Sequence, residues 1–407
     1  MLPWAQPVAL VNARVLTPEG LAPSLRFGSR ILSIGQSPRR GDTVVDLGGA
    51  FVLPGLINAH DHLELNHYGL LKRRPRYDNA AAWIDDLRPA IRSDRSIRAA
   101  QRHPLAARLF IGALKNLLSG VTTVAHHNPR YREIGRRFPV RVLRRYGWAH
   151  SFTLEGHPVG ARGEPGGNVR ERCLATPPDV PFMVHAGEGT DPAAADEVPR
   201  LEALGCLRPN TVIVHGIAMT ERDWELIVMR GASLVWCPAS NEFLFGATAP
   251  VRACLDANSR SWQRICLGSD SRISGSRDLL DELRAAAARG ISAIELLRMV
   301  TDAPAKILRS TDAGRIERGL PADFIVLPPG KETPEDALLG AARRDLALVT
   351  LGGRPLVGCP SLSAVFVARR TTGQPVSIDG VERLVSCRLA YAIARCPIAE
   401  PGVECLS

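Results

Sequence analysis

Leu53-Pro-Gly-Leu-Ile-Asn-Ala-His60-Asp61-His62 is an apolar run that ends in two histidines, two residues apart. Side chains at i and i+2 of a strand point to the same side, so His60 and His62 aim together while Asp61 points away. If the run is the first strand of a parallel barrel, that shared side at its C-terminal end faces an active site. The rest of the chain supplies the test of that condition.

From Phe51 onward, short apolar runs alternate with helix-like stretches. The runs are Phe51–Ala59, Val121–Ala125, Gly147–Leu154, Phe182–Val184, Thr211–Val214, Ala232–Trp236 and Ile265–Leu267. Helical periodicity marks Leu105–Leu118, Glu221–Arg230 and Leu279–Ala288. Nearly continuous apolar strands alternating with helices imply a parallel sheet covered on both faces. Residues 56–310 span the roughly 250 residues usual for a (β/α)8 barrel. A fourth strand is expected near 160–180, but Gly160–Gly167 reads as loop and no run marks it. Both flanks are β-rich. Val8–Val15, Ser24–Phe27, Arg30–Ile34 and Thr43–Asp46 precede the barrel; Asp323–Leu327, Leu346–Leu351, Ser363–Val367 and Val376–Leu384 follow the helical Ile294–Leu308. The expected fold class is α/β: a (β/α)8 TIM-like barrel (56–310) with a small composite β-sandwich formed by the N-terminal (1–55) and C-terminal (311–407) segments.

Composition agrees with a large enzyme domain plus a satellite. The chain has 407 residues, is 45% hydrophobic and carries a formal charge of +10. Only Lys72, Lys115, Lys306 and Lys331 are lysines, so arginine carries the charge. The arginines are dispersed and no recognition module is visible, so nucleic acid is not expected as a partner; a small-molecule substrate is, and an anionic one would match the charge. The nine cysteines include no CxxC pair, and the first residues lack a charged stretch followed by an apolar one. A reduced, cytoplasmic setting follows. No apolar run reaches about 18 residues, so no membrane span is expected. A homo-oligomer is left open.

Three further strands end as the first does. Phe182-Met-Val-His185-Ala-Gly-Glu188 closes on a histidine with a carboxylate three residues on; Val212-Ile-Val-His215-Gly216 repeats the pattern; Ile265-Cys-Leu-Gly268-Ser-Asp270-Ser271 ends the last strand on a carboxylate. Each alone fits an ordinary hydrogen-bonded core residue. Together, at the same end of strands of one barrel, they form a constellation. Three neutral imidazoles and one carboxylate suit Zn²⁺ and leave room for a water, whose pKa the metal lowers to about 7. Asp270 can bind the metal weakly and take the water's proton. Glu188 can pass that proton to a leaving nitrogen. His215 can donate a hydrogen bond to developing negative charge or hold the attacking hydroxide.

In these residues the chain resembles the amidohydrolase superfamily, in the branch of cytosine and guanine deaminases, S-adenosylhomocysteine and methylthioadenosine deaminases and s-triazine hydrolases. The resemblance covers almost the whole chain. It rests on the entry motif at 53–62, Gly120-Val-Thr-Thr-Val, His185-Ala-Gly-Glu188, His215-Gly, Cys237-Pro-Ala-Ser-Asn241, Gly268-Ser-Asp270, Met299-Val-Thr-Asp-Ala-Pro-Ala and Gly314-Arg-Ile-Glu-Arg-Gly-Leu-Pro-Ala-Asp323. It implies one divalent metal ion per chain, bound by His60, His62, His185 and Asp270, with Glu188 as proton shuttle. Zinc is the first choice, iron and manganese the alternatives.

Two departures from the superfamily matter. Relatives with two metals bridge them by a carboxylated lysine on the fourth strand, and no lysine lies between Lys115 and Lys306. Glu155 is the only bridge left to consider. The stretch between the third and fifth strands is also short, so a relative's substrate does not carry over. His127 is expected to touch substrate or to make a structural hydrogen bond, Asn241 to touch substrate or to order the loop after the seventh strand, Glu64 and His67 to line the entrance or a solvated loop, and Lys72–Arg76 to lie on the surface. The expected reaction is hydrolytic deamination of a nitrogen heterocycle of amino-purine, amino-pyrimidine, pterin or triazine type. The alternative is hydrolysis of a cyclic amide or aryl halide on the same site. A non-catalytic binding relative would lack a ligand or shuttle, and none of the six residues is missing.

Overall fold

The computed structural model describes residues 5–406 apart from 136, 156, 160–163, 166 and 258–260. The parallel strands between residues 56 and 267 fall in two sheets. In the first, β1 (Leu56–Asp61), β2 (Val121–His126) and β3 (Arg141–Val142) lie in the order β3-β2-β1. In the second, β4 (Gly147–Trp148), β5 (Phe182–Ala186), β6 (Thr211–His215), β7 (Ser233–Trp236) and β8 (Ile265–Leu267) lie side by side in chain order. Just beyond β8, the Asp270 amide donates to the His60 carbonyl at 3.0 Å, so the far edge of the second sheet meets β1.

The strands are buried on both sides, as their unbroken apolar runs require. Ile57, Ala59, Ala125, Met183, Val212, Val214, Val235 and Cys266 pack into one cluster. Their neighbours Leu56, Val124, Val184, Ile213, Leu234 and Ile265 pack with the helices in another. Each such side chain taken from water contributes about 1.5–3 kcal/mol before chain entropy is counted. Three helices lie between β1 and β2: α1 (Ala80–Ser93), α2 (Arg95–Gln101) and α3 (Leu105–Leu118). In α3, Leu109, Ala113, Leu114 and Leu117 make the buried stripe of an amphipathic helix. Gly112 lets that helix press on the turn after β1, because a Cβ there would sit 2.2 Å from the Leu63 carbonyl oxygen.

Strict βα alternation fails twice in succession: among the described residues no helix separates β2 from β3, nor β3 from β4. β3 and β4 are separated by residues 143–146, with no helix between them. Adjacent parallel strands need a crossover of about a dozen residues or more. β3 and β4 are therefore consecutive stretches of one line of chain. Its first half leans on β2, with the Leu143 amide donating to Val124 at 2.9 Å; its second leans on β5, with the Ala149 amide donating to Met183 at 3.1 Å. The fourth strand expected near 160–180 falls partly outside the described residues. Among those described, this span holds an antiparallel pair, Pro158–Val159 with Glu164–Pro165, and a helix, Val169–Ala175, and none of these joins the parallel sheets. The run expected as one strand over Gly147–Leu154 ends early in a 3-10 turn at Phe152–Leu154.

The two flanks meet in a nine-stranded sheet. It contains Arg14–Thr17, Gly20–Ala22 and Phe51–Pro54 from the N-terminal side with Phe324–Leu327, Leu348–Leu351, Arg354–Gly358, Gly373–Ile378, Val381–Ser386 and Val403–Cys405 from the C-terminal side. Phe51–Pro54 pairs antiparallel with Phe324–Leu327, and so joins the two ends of the sequence. A separate four-stranded sheet holds Val8–Val11, Leu25–Phe27, Ile31–Ile34 and Thr43–Asp46. Three expected strands differ. Val8–Val15 is cut at Asn12, whose φ is 49°, and its halves enter different sheets. Val376–Leu384 is a hairpin, because Asp379-Gly380 with φ of 49° and 80° forms a tight turn. Ser363–Val367 is a helix, Ser363–Ala368; short apolar runs do not distinguish strand from helix.

Candidate active site

The C-terminal ends of β1, β5, β6 and β8 bring the four histidines and the aspartate together. His60 Nε2 lies 3.3 Å from His185 Nε2. Asp270 Oδ1 lies 3.7 Å from His60 Nε2 and 3.8 Å from His62 Nε2. Possible ligand atoms of His60, His62 and Asp270 all fall within 4.8 Å of one another, and so do those of His60, His185 and His215. Burial, followed by the neighbouring imidazoles, holds His60 and His185 well below the usual histidine pKa, and burial lowers His62 as well. These rings are therefore neutral, with lone pairs to give. Two ligands about 2.0–2.1 Å from a tetrahedral zinc stand about 3.3–3.4 Å apart. The donor set and its spacing fit a divalent metal.

Three of the four rings meet a partner on the nitrogen turned away from the cluster, whereas His60 Nδ1 is buried without one among the described residues. His185 Nδ1 faces His150 Nδ1 at 3.2 Å. If Nε2 of His185 is a ligand, its Nδ1–H donates and His150 keeps its proton on Nε2. His62 Nδ1 lies 3.2 Å from the Asn128 side-chain amide. His215 Nδ1 lies 2.8 Å from Asn241 Oδ1, an acceptor, so Nδ1 carries a proton and donates it. Asp270 is held by four contacts. Its Oδ1 accepts from the Ser271 amide at 2.6 Å, and its Oδ2 accepts from Ser240 and Ser274 hydroxyls at 2.9 Å each. Its carbonyl accepts from Lys115 Nζ at 2.7 Å. Burial would raise the Asp270 carboxyl, but His62, His215 and these hydrogen bonds outweigh it and hold it below the usual range. Asp270 and His215 both adopt positive φ, 49° and 77°. Non-glycine residues rarely do so, at a cost of order 1–3 kcal/mol, and such strain gathers at functional sites. Gly268 permits the close approach of β8 to β1, since a Cβ there would stand 2.5 Å from His60 Cβ.

Glu188 lies above the cluster, Oε1 3.5 Å from His215 Nε2. Burial, with the charge of Asp270 adding, pushes its carboxyl up to about 7 against the pull of His215. A cavity of about 510 Å³ opens here. His62, His150, His185, Glu188, His215 and Asp270 are among its polar residues, and Leu71, Trp83, Ile84, Leu87 and Leu154 among its apolar ones.

Other expectations meet a different setting. His127 and Asn241 are fully buried and do not line the cavity. His127 Nε2 bonds the Ala149 carbonyl at 3.0 Å, and its ring stacks on His185 with centroids 4.3 Å apart. Asn241 orients His215. In these contacts both act as supports, the second of the roles expected of each. Glu155 accepts from the Val169 amide at 2.8 Å and belongs to neither cluster of possible ligands. Glu64 is fully buried, accepting from Asn128 at 2.7 Å and Tyr131 at 3.1 Å. The nine cysteines are free thiols, and none belongs to the clusters of possible ligands.

Three important residues escaped the sequence. His150 ends a strand as His185 and His215 do, a signal present in Trp148-Ala-His150. Lys115 and Asn116 gave no signal. Lys115 Nζ is wholly buried, 3.3 Å from Asp61 Oδ2 and 2.8 Å from Asn66 Oδ1. Asn116 donates to Asp61 at 2.7 Å and accepts from Asn58 at 2.8 Å. Asp61, pointing away from the site as the alternation predicts, thus anchors the turn that carries His60 and His62.

Comparison with known proteins agrees with this arrangement. The model of the amidohydrolase family matches residues 176–356. The chain is 29% identical to the 5-methylthioadenosine/S-adenosylhomocysteine deaminase of Halobacterium salinarum, over 74% of this chain and 78% of that one. It is 23% identical to the 5'-deoxyadenosine deaminase of Methanosarcina mazei, over 86% and 92%. Among solved structures, a triazine hydrolase from Arthrobacter aurescens superposes with a TM-score of 0.67 at 21% identity, over 90% of this chain and 99% of that one. An adenosine deaminase from Xanthomonas campestris with bound zinc gives 0.66 at 18%, over 89% and 97%. These structures establish a TIM-barrel-like α/β fold. Among the described residues no helix is long and apolar enough to cross a membrane.

Proposed function

We propose that the chain is an amidohydrolase and, from that premise, a metal-dependent hydrolase that removes ammonia from a nitrogen heterocycle. The two parallel sheets read as one barrel over 56–310, flanked by a composite sandwich from 1–55 and 311–407. His60, His62, His185 and Asp270 would hold one divalent metal, zinc by choice of ligands. A metal bound there supplies water acidified to a pKa of about 7. Asp270 orients that water and accepts its proton through the oxygen that faces His60 and His62. His215 commits its Nδ1–H to Asn241 and turns Nε2 towards Glu188, where it holds the water or donates to developing negative charge.

The observation that carries the reading is the buried Glu188 carboxyl, beside His215 and held near pH 7. A group with that pKa gives and takes a proton at neutral pH. A leaving nitrogen needs that proton and a leaving halide does not, so deamination is favoured over dehalogenation. The test is to load the protein with zinc and screen amino-purines, amino-pyrimidines, pterins and triazines for ammonia release, with Glu188→Gln beside it. The variant is expected to keep its metal and lose about 10²–10⁴-fold in kcat. Unchanged kcat with a nitrogen leaving group would remove Glu188 from the chemistry.

A further inference from the structure

Four arginines are buried: Arg108, Arg272, Arg343 and Arg383. Three have partners. Arg272 grips Glu400 through both carboxylate oxygens, Arg343 bonds Asp278 and Glu400, and Arg383 donates to the carbonyls of Glu382 and Arg344. Arg108, in the first turns of α3, is 9% exposed and has no hydrogen-bond or carboxylate partner for its side chain among the described residues; its Nε is buried and unsatisfied. A guanidinium cannot escape burial by losing its proton. An unpaired charge so placed is costly, and chains rarely keep one without a use.

Arg108 also lines the cavity above the metal site. The same cavity is walled by Tyr68, Trp83, Leu87 and Ile97, with Gln101 beside them. One cavity therefore joins a reactive floor, an apolar wall and a single unanswered cation. We infer that the substrate carries an anionic group, a carboxylate or a phosphate, on an apolar arm, and that Arg108 binds that group. Both anions match the planar fork of a guanidinium. The inference rests on the cavity being a substrate site, as proposed above, but its test does not need turnover.

The probes are 4-phenylbutyrate, phenylphosphate and the neutral 4-phenylbutanol, titrated by calorimetry into metal-stripped protein so that no metal competes for the anion. Wild type is expected to bind at least one anion tenfold or more tighter than the alcohol; the better anion identifies the group. Arg108→Met should bind the alcohol as before and lose the preference, and without ligand it should melt no lower than wild type, because it removes an unpaired charge. Arg108→Lys keeps charge without the fork and should retain part of the preference, which gives a reading even if the methionine variant folds poorly. Equal binding of acid and alcohol by wild type, or a preference that persists in Arg108→Met, overturns the inference. A protein that deaminates neutral heterocycles yet shows no anion preference refutes this inference and leaves the proposed function standing. An anion preference lost in Arg108→Met, in a protein that takes no metal and releases no ammonia, does the reverse.

Discussion

Two cavities of nearly equal size border the parallel strands. One, of about 510 Å³, lies over the C-terminal ends; the other, of about 520 Å³, is lined by Thr123, Arg141, Val142 and Pro181 near the beginnings of β2, β3 and β5. Volume does not separate them, so the difference is in the state of their polar groups. At the second, five of the six arginines are exposed to water and three have partners. Arg141 pairs with Asp323, Arg145 with Asp179, and Arg309 donates to the Pro209 carbonyl. At the first, His60 Nε2 and His185 Nε2 converge to 3.3 Å, burial pushes the Glu188 carboxyl up to about 7 and Arg108 Nε lacks a partner. Groups that a fold leaves unsatisfied in its interior need a ligand to complete them.

The largest effect expected at the first cavity is loss of the metal itself. His60→Ala, His62→Ala and His185→Ala should each release metal and abolish turnover together, since each removes one coordinate bond. Metal content per chain after dialysis is the measurement. A variant that keeps both full metal and full turnover breaks the coordination set, and two metals retained per wild-type chain break the single-ion reading.

Next comes the buried pair that carries the floor. Lys115 and Asp61 are both fully buried, with Nζ and Oδ2 3.3 Å apart. Lys115→Met strands the Asp61 charge and should cost about 3–5 kcal/mol in denaturant unfolding. Combining it with Asp61→Asn should recover much of that loss, because no bare charge then remains. If the double variant is no better than the single one, the two residues are not coupled and the support proposed for the β1 turn fails.

A smaller effect separates the cavities by pH. Glu282 lies behind the first one, fully buried, accepting from the Ala239 amide at 2.8 Å with its other oxygen unpartnered. Burial raises its pKa from 4.5 to about 7. The folded state therefore holds a proton that the unfolded chain has already released. This group's contribution is complete below about pH 4.5 and falls as pH rises to 7, by at most about 1.4 kcal/mol per pH unit. Glu282→Gln should flatten stability against pH across that window; a slope identical to wild type would show the carboxyl is already ionised when folded.

The sequence showed the floor of this site better than its supports, for a physical reason. His60, His62, His185, His215 and Asp270 all end apolar strands, and the alternation of a strand together with the polarity of its end is local information. Lys115 lies in the last turn of an amphipathic helix, and Arg108 in its opening turns; only packing against the β1 turn and the cavity gives either its role. His127 follows a strand end and Asn241 lies in the helix after the seventh strand, but how deep each side chain sits below the cavity is a tertiary fact. The same limit explains the third strand. Arg141–Trp148 is interrupted by Arg144-Arg145, and its two halves bond to different neighbours, so no single run announces it.

The smallest effect is expected where the contact is shorter. Arg145 and Asp179, at the second cavity, lie 2.8 Å apart, closer than Lys115 and Asp61, but their side chains are 70% and 65% exposed. Water already solvates both charges, and holding two long side chains in one geometry costs entropy. An exposed pair of this kind contributes about 0–1 kcal/mol, and salt weakens it further. Removing either partner strands no buried charge, so Arg145→Ala and Asp179→Ala should each shift unfolding by less than about 1 kcal/mol, and their double-mutant cycle should yield a coupling that vanishes in high salt. Lys115 and Asp61 should keep theirs under the same conditions, because no counterion reaches them. A coupling at Arg145–Asp179 as large as the buried one would mean that distance governs these pairs, and the contrast between the two cavities would then lose its basis in burial.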